Sequence, residues 1–398
     1  MNVTRRGFMK AAGVSGIGAI AIPLIGARGS EALRDGILDL APWRDMAFDA
    51  DERTAWRRAI ANAVRLDSNE NPNGPGQTAL DAIRGMFGEA SRYPDSPTED
   101  LRHVIASRRQ VAAENVLVGC GSTENLRMAV LAFTSPQRAL VTAAPSFEDP
   151  GRFTELTQAA VKAVPVDGRL ALDLDRMLDA SADAGLIYLC NPNNPTATVH
   201  GASAVRDFIA SVNRRAPDAV ILVDEAYHEY VDEPTYATAI PLALQNPNVV
   251  VIRTFSKVYG MAGLRLGYAV ARPETIARMQ RHKLPSNVNA LAAAAGIATI
   301  ADDAHIAREQ QLNRDAREFT RRAFEQMGYK SPVSNANFIM VPIGRDSKVF
   351  KEACAKQGIL VGRAFPPLTT HARISIGTMD EMKRAVDVFR QVLSGAAD

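Results

Sequence analysis

The sequence carries almost no surplus of charge. Its 46 Lys and Arg residues against 44 Asp and Glu leave a formal charge of +2. That balance offers no basic stripe for nucleic acid and no acidic tail, so a small molecule is the expected partner. Cysteine is scarce as well. Cys120, Cys190 and Cys354 are odd in number, share no short spacing and sit inside apolar segments; they read as free buried thiols, and no metal site is expected. No internal repeat or low-complexity linker interrupts the chain. What remains is an ordinary globular composition, 398 residues with 46% hydrophobic and 23% charged, long enough to bury a large core split between about two domains.

The first segment differs from the rest. Thr4-Arg5-Arg6-Gly7-Phe8-Met9-Lys10 precedes an apolar, small-residue stretch from Ala11 to Ala27, the charged, apolar and small-residue order of an export signal. Its paired arginines resemble the twin-arginine signal, and cleavage near Ala27 is expected. A transmembrane anchor is the alternative, but the stretch is glycine-rich and shorter than the roughly 20 residues a span needs, so no stable span is expected after processing. If the arginine pair is coincidental, the chain is cytoplasmic. Residues 28–70 read as an arm joining a small domain, with Trp43 and Trp56 as docking points.

Beyond the arm, apolar runs alternate with helical patterns: Asn115–Val118, Arg138–Thr142, Leu186–Leu189, Val220–Val223 and Val249–Ile252. Short apolar runs at such spacing predict buried strands of a largely parallel α/β sheet, assigned to a large domain over 71–289. From 290 to 398 an alanine-rich helix, then Asn337–Val341 and Arg373–Ile376 as strands between helices, predict a smaller α/β domain.

Ligands of open α/β sheets bind beyond the carboxyl ends of the strands, so the residues after each run carry the information. Gly121, Ser122 and Thr123 open a helix and suit a phosphate, although a glycine turn with an ordinary cap contains the same residues. Asp224 follows the Val220 run and can hold a pyridinium nitrogen protonated, with Tyr227 in reach of a ring oxygen; a helix-capping aspartate is the plainer reading. Asn194 lies in a turn-rich stretch and can bond the same oxygen, though Asn-Pro is also a common turn. Lys257 follows the Val249 run. Its amine can form a Schiff base with an aldehyde cofactor, while Thr254, Ser256 and Arg265 can bind that cofactor's phosphate.

In this order, Asp67-Ser68-Asn69-Glu70-Asn71-Pro72-Asn73-Gly74-Pro75, Arg92-Tyr93-Pro94-Asp95, Asn193-Asn194-Pro195-Thr196, Asp224-Glu225-Ala226-Tyr227, Ser256-Lys257 with Arg265, and Arg373-Ile374-Ser375-Ile376-Gly377-Thr378 resemble the fold-type I aminotransferases dependent on pyridoxal 5′-phosphate (PLP). Within them the chain is most similar to the histidinol-phosphate aminotransferase group, over about residues 66–380. The resemblance implies the three-layer fold-type I architecture, a homodimer, and transfer of an amino group between an amino acid or histidinol-phosphate-like amine and a 2-oxo acid by a ping-pong mechanism.

The resemblance also assigns roles. Lys257 would bind the cofactor covalently and shuttle the proton, Asp224 would pair the ring nitrogen, and Asn194 and Tyr227 would contact its O3′. Ser122, Thr123, Ser256 and Arg265 would hold the phosphate, Phe147 would stack on the ring, and Tyr93 would reach the partner subunit's phosphate. Arg373 would hold the substrate's anionic group with Asn337 nearby. Two departures stand out. Ala197 replaces the usual glycine after Asn-Pro-Thr, a small change that leaves cofactor binding in place. In Val361-Gly362-Arg363-Ala364-Phe365-Pro366-Pro367 the arginine that usually follows the strand directly comes later, so Arg363 is a candidate for a second anionic or polar group. Export sets the chain apart from cytoplasmic histidine synthesis, but suits a route that carries enzymes folded around their cofactor. Decarboxylation, elimination or oxidation of an amino acid is the alternative, because the protein chooses which substrate bond stands perpendicular to the ring. A DNA-binding regulator on the same fold would need an added module that the residues before 66 do not supply.

Overall fold

A computed structural model of the protein describes residues 62–395; the signal segment and the arm up to residue 61 lie outside the described residues. The central element is a seven-stranded sheet. In chain order its strands are β2 (Val116–Cys120), β3 (Ala139–Ala144), β4 (Val161–Pro165), β5 (Ala184–Cys190), β6 (Val220–Asp224), β7 (Val249–Thr254) and β8 (Leu266–Val270), arranged β2-β8-β7-β6-β5-β3-β4. Neighbours from β7 to β4 run parallel, and β8 is antiparallel to both β2 and β7. The expectation of a largely parallel sheet is met.

These runs are apolar without interruption because helices cover both faces, which is what a parallel sheet requires. Side chains alternate between two cores, as the twofold period of a strand dictates. Val141, Ile187, Leu189, Ile221, Val223, Val249 and Val251 face one core with the helices Asp95–Arg109, Ala202–Arg215 and Ala290–Thr299. Leu140, Leu186, Tyr188, Val220, Leu222, Val250 and Ile252 face the other, against Ser122–Phe133 and Pro273–Gln280. The result is the three-layer α/β architecture.

A separate core gathers around two small sheets. β9 (Phe338–Pro342) pairs antiparallel with β11 (His371–Ser375), and β1 (Val64–Leu66) pairs parallel with β10 (Ile359–Val361). Val64 and Leu66 lie in this core. The chain passes between cores later than residue 290: Ala292, Ala293 and Ala295 belong to the large core, whereas Ala316, Ala323 and Phe324 of the following helix, Asp303–Gln326, belong to the small one. The last helix, Met379–Ser394, begins at Thr378 in a reciprocal cap with Glu381, which satisfies backbone donors that the first helical turn leaves free. Cys190 and Cys354 are buried free thiols as expected, while Cys120 is only partly buried. No single helix among the described residues is long and apolar enough to cross a membrane.

Candidate active site

Parallel strands deliver their carboxyl ends to one edge of the sheet. The ends of β2, β5, β6 and β7 bring Gly121, Asn194, Asp224 and Lys257 to that edge, and β11 of the small domain supplies Arg373.

Lys257 stands in the turn after β7. Its Nζ donates to Asn69 O at 3.0 Å and lies 5.4 Å from the Tyr227 ring centroid. Burial, with the Arg373 charge second, lowers its pKa to about 8 against the pull of Glu70 and Asp224. A lysine so placed holds an appreciable fraction of neutral, nucleophilic amine at physiological pH. Asp224 ends β6 and is buried. Its Oδ2 accepts the Tyr188 hydroxyl at 2.8 Å and its Oδ1 the Ala226 N–H at 3.1 Å. Burial raises its pKa to about 6, while the Tyr188 and Ala226 bonds and the Lys257 charge hold it from rising further. Tyr227 accepts from Asn69 Nδ2 at 3.2 Å and packs edge-on against Phe338, with centroids 5.1 Å apart; burial pushes its hydroxyl well above the usual phenol range.

The phosphate-suited residues converge through β8. Gly119 of β2 and Thr254 of β7 both pair with Gly267, so the turn after each strand opens at the same level. The helix Ser122–Phe133 starts there, with Gly121 in the left-handed region at φ 74°. A Cβ on Gly121 would stand 2.4 Å from Arg265 Nη2, so only glycine admits the guanidinium beside the helix N-terminus. Thr254 Oγ1 donates to Ser256 Oγ at 2.9 Å. Helix amides, hydroxyls and a guanidinium together make an anion site.

Arg373 is buried, and its Nη1 donates to Asn194 Oδ1 at 2.8 Å while its Nη2 reaches Asp67 O. Its Nε is buried without a partner among the described residues, as is Asn337 Oδ1. Asn337 Nδ2 donates to Asn69 O at 3.0 Å. Burial lowers the Arg373 pKa to about 10, yet it remains charged. The guanidinium lies over Phe365, 4.7 Å from the centroid, and Arg363 lies over the same ring at 4.3 Å. Arg363 also pairs with Glu148 at 2.7 Å. The later arginine has a steric reason: a Cβ on Gly362 would meet Arg373 O at 2.7 Å. Ala197 sits in the left-handed region at φ 60°, the conformation for which glycine is the usual residue. Phe147 packs at the margin of the second core, and Tyr93 is 85% exposed.

Two participants escaped the sequence reading. Asn69, at φ 54°, links Lys257, Tyr227 and Asn337 and takes the Ser375 hydroxyl on its Oδ1 at 2.6 Å. Tyr188 bonds Asp224. Asn69 stood within a recognised motif without a role, and Tyr188 was the one hydroxyl in an apolar strand.

This set fits PLP. Hydroxyls, helix amides and a guanidinium suit a phosphate, a buried carboxylate suits a protonated ring nitrogen, and an amine of depressed pKa suits an aldehyde. The residue pattern has counterparts elsewhere. Residues 61–389 match the model of the aminotransferase class I and II family. A histidinol-phosphate aminotransferase of Symbiobacterium thermophilum is 37% identical over 336 residues, 84% of this chain and 91% of that protein. An aromatic amino acid aminotransferase of Nocardia farcinica is 38% identical over 336 residues, 81% of this chain and 90% of that one. The histidinol-phosphate aminotransferase of Sinorhizobium meliloti, solved with pyridoxal 5′-phosphate, superposes with a TM-score of 0.79 at 25% identity, covering 90% of this chain and 98% of that chain. The chain belongs to the aminotransferase class I and II family and is a PLP-dependent aminotransferase.

Proposed function

We propose that the enzyme transfers the amino group of a donor that combines a flat side chain with an anionic group, histidinol phosphate or an aromatic amino acid, to a 2-oxo acid. The observation that carries this reading is the pair of guanidinium groups, Arg373 and Arg363, on the Phe365 ring. The relatives named for histidinol phosphate and for aromatic amino acids support it. Arg373 binds the donor's anionic group through the unpartnered Nε, Asn337 adds its unpartnered Oδ1, and the buried Phe365 ring backs both guanidinium groups. Arg363 takes a second anion when the donor has one.

Bound at this site, PLP supplies an aldehyde that captures amines and a ring that accepts the electron pair left at the substrate Cα. Lys257 would carry the cofactor covalently until the donor amine displaces it, and its freed Nζ would then take the Cα proton; Asp224 would keep the ring nitrogen protonated, and Asn194 and Tyr227 would hold the ring oxygen. Phe147 covers the ring. Gly121, Ser122, Thr123, Thr254, Ser256 and Arg265 hold the phosphate. Tyr93, exposed in its own chain, completes the partner subunit's phosphate site, which makes the active unit a homodimer.

A donor panel with 2-oxoglutarate tests the substrate. Histidinol phosphate, phenylalanine and tyrosine should outpace aspartate and alanine. Arg363→Ala should lower kcat/KM for histidinol phosphate about 2–5-fold, the range of one half-exposed charge contact, while phenylalanine stays essentially unchanged. Preference for aspartate, or equal loss on both donors, refutes the reading.

The enzyme acts outside the cytoplasm after passage through the twin-arginine route, on the strength of the Arg5-Arg6 segment alone. Cell fractionation checks this: the double change Arg5→Lys and Arg6→Lys should leave active enzyme in the cytoplasm, and unchanged export would refute the route.

A further inference from the structure

Every residue of β5 is buried, and Tyr188 places a hydroxyl in the middle of it. β5 and β6 pair in parallel with Tyr188 opposite Leu222 and Cys190 opposite Asp224. Residues two apart share a face, so the Tyr188 ring stands one pleat below Asp224, among Leu186, Val220, Leu222 and Ile252. Its hydroxyl reaches up to Asp224 Oδ2 at 2.8 Å. A phenol in such surroundings is costly unless bonded, and leucine or phenylalanine would fill the strand equally well. The hydroxyl therefore has a use.

We propose that Tyr188 is a positioning residue for the cofactor ring: its hydroxyl fixes the plane of the Asp224 carboxylate and keeps it ionised, so that a lone pair is aimed at the ring nitrogen. The proposal rests on the assignment of Asp224 as the ring's partner. Each carboxylate oxygen has two acceptor sites. Ala226 N–H uses one on Oδ1 and Tyr188 one on Oδ2, which pins the group at both ends and leaves acceptor capacity over. The groups facing Asp224 are Tyr188 and Cys190 of β5, Lys257 after β7, and Tyr227 and Glu225 of its own segment. Burial works toward the neutral acid and Glu225 works with it, whereas Tyr188 and Lys257 favour the anion. Once Lys257 is bonded to the cofactor its charge is no longer a fixed contribution, and Tyr188 is the constant one. Burial and the Asp224 charge push the Tyr188 phenol far above its ordinary range, so it donates at any pH the enzyme meets.

Tyr188→Phe removes one oxygen and leaves the packing volume, so the fold is retained. The holoenzymes are reconstituted with PLP labelled with 15N in the ring, and the nitrogen chemical shift is followed with pH beside the PLP dissociation constant and the melting temperature. In the variant the ring nitrogen should lose its proton about one pH unit lower than in the wild type, and PLP should bind about tenfold more weakly, the equivalent of one pKa unit. An unchanged nitrogen titration and PLP affinity, whatever the melting temperature does, overturns the proposal and leaves Tyr188 as a strut of the sheet. Asp224→Asn run alongside separates the two assignments: if it too leaves the ring nitrogen unchanged, Asp224 itself is not the ring's partner.

Discussion

At the residue scale, Lys257 shows how place sets chemistry. An ordinary lysine is almost wholly protonated near neutrality, but burial and the neighbouring Arg373 bring this one to about 8. The neutral amine is the attacking form, so the sign follows: covalent capture of PLP by the apoenzyme should rise about tenfold per pH unit below about 8 and level off above it. Stopped-flow absorbance checks this, and a rate still climbing steeply at pH 10 would contradict it. Lys257→Ala should hold PLP only reversibly, unfixed by borohydride, and lose at least about a thousandfold in turnover, because nucleophile and proton shuttle vanish together; near-normal turnover would sink the assignment. Lys257 and Asp224 were legible because each lies at or just beyond the end of an apolar run. Asn69 was not, since its bond to Tyr227 spans 158 positions and no local pattern reports a contact of that range.

At the element scale, legibility follows burial. β5, β6 and β7 are covered on both sides and read as continuous apolar runs. β4 is an edge strand with alternate residues exposed, Val161, Ala163 and Pro165 among them, and has no run to find. The reversed direction of β8 leaves no trace in Leu-Gly-Tyr-Ala-Val, because a strand buried on both faces has the same composition whichever way it runs. The three-residue β1 and β10 are too short for any period and exist because each closes the other's backbone donors. The domain change was placed at the alanine-rich helix, where composition shifts. Packing puts it further on, because small alanine side chains let Ala290–Thr299 lie close against the large domain.

At the scale of the whole molecule, the proposed dimer makes the two sites interdependent. A bond from Tyr93 to a charged phosphate contributes roughly 1.5–3 kcal/mol, so Tyr93→Phe should loosen PLP about 10–100-fold without unfolding the chain. Mixing that variant with Lys257→Ala at limiting PLP tests the crossing. In a mixed dimer one site carries both defects and the other neither, so random exchange should restore about a quarter of wild-type activity. An active monomer in sedimentation, or the plain average of the two parents, would show that Tyr93 serves its own chain or none. The sequence by itself determined the sheet, the cofactor and the residues that follow each strand, because burial and strand-end position are written in local order. Only the tertiary structure decided which of those residues meet: Asn69 against Lys257 and Tyr227, Tyr188 beneath Asp224, and the two arginines on Phe365. Those contacts join segments that are brought together by the parallel register of the sheet and by the small domain folding back upon it, and no stretch of chain shorter than the whole specifies that closure.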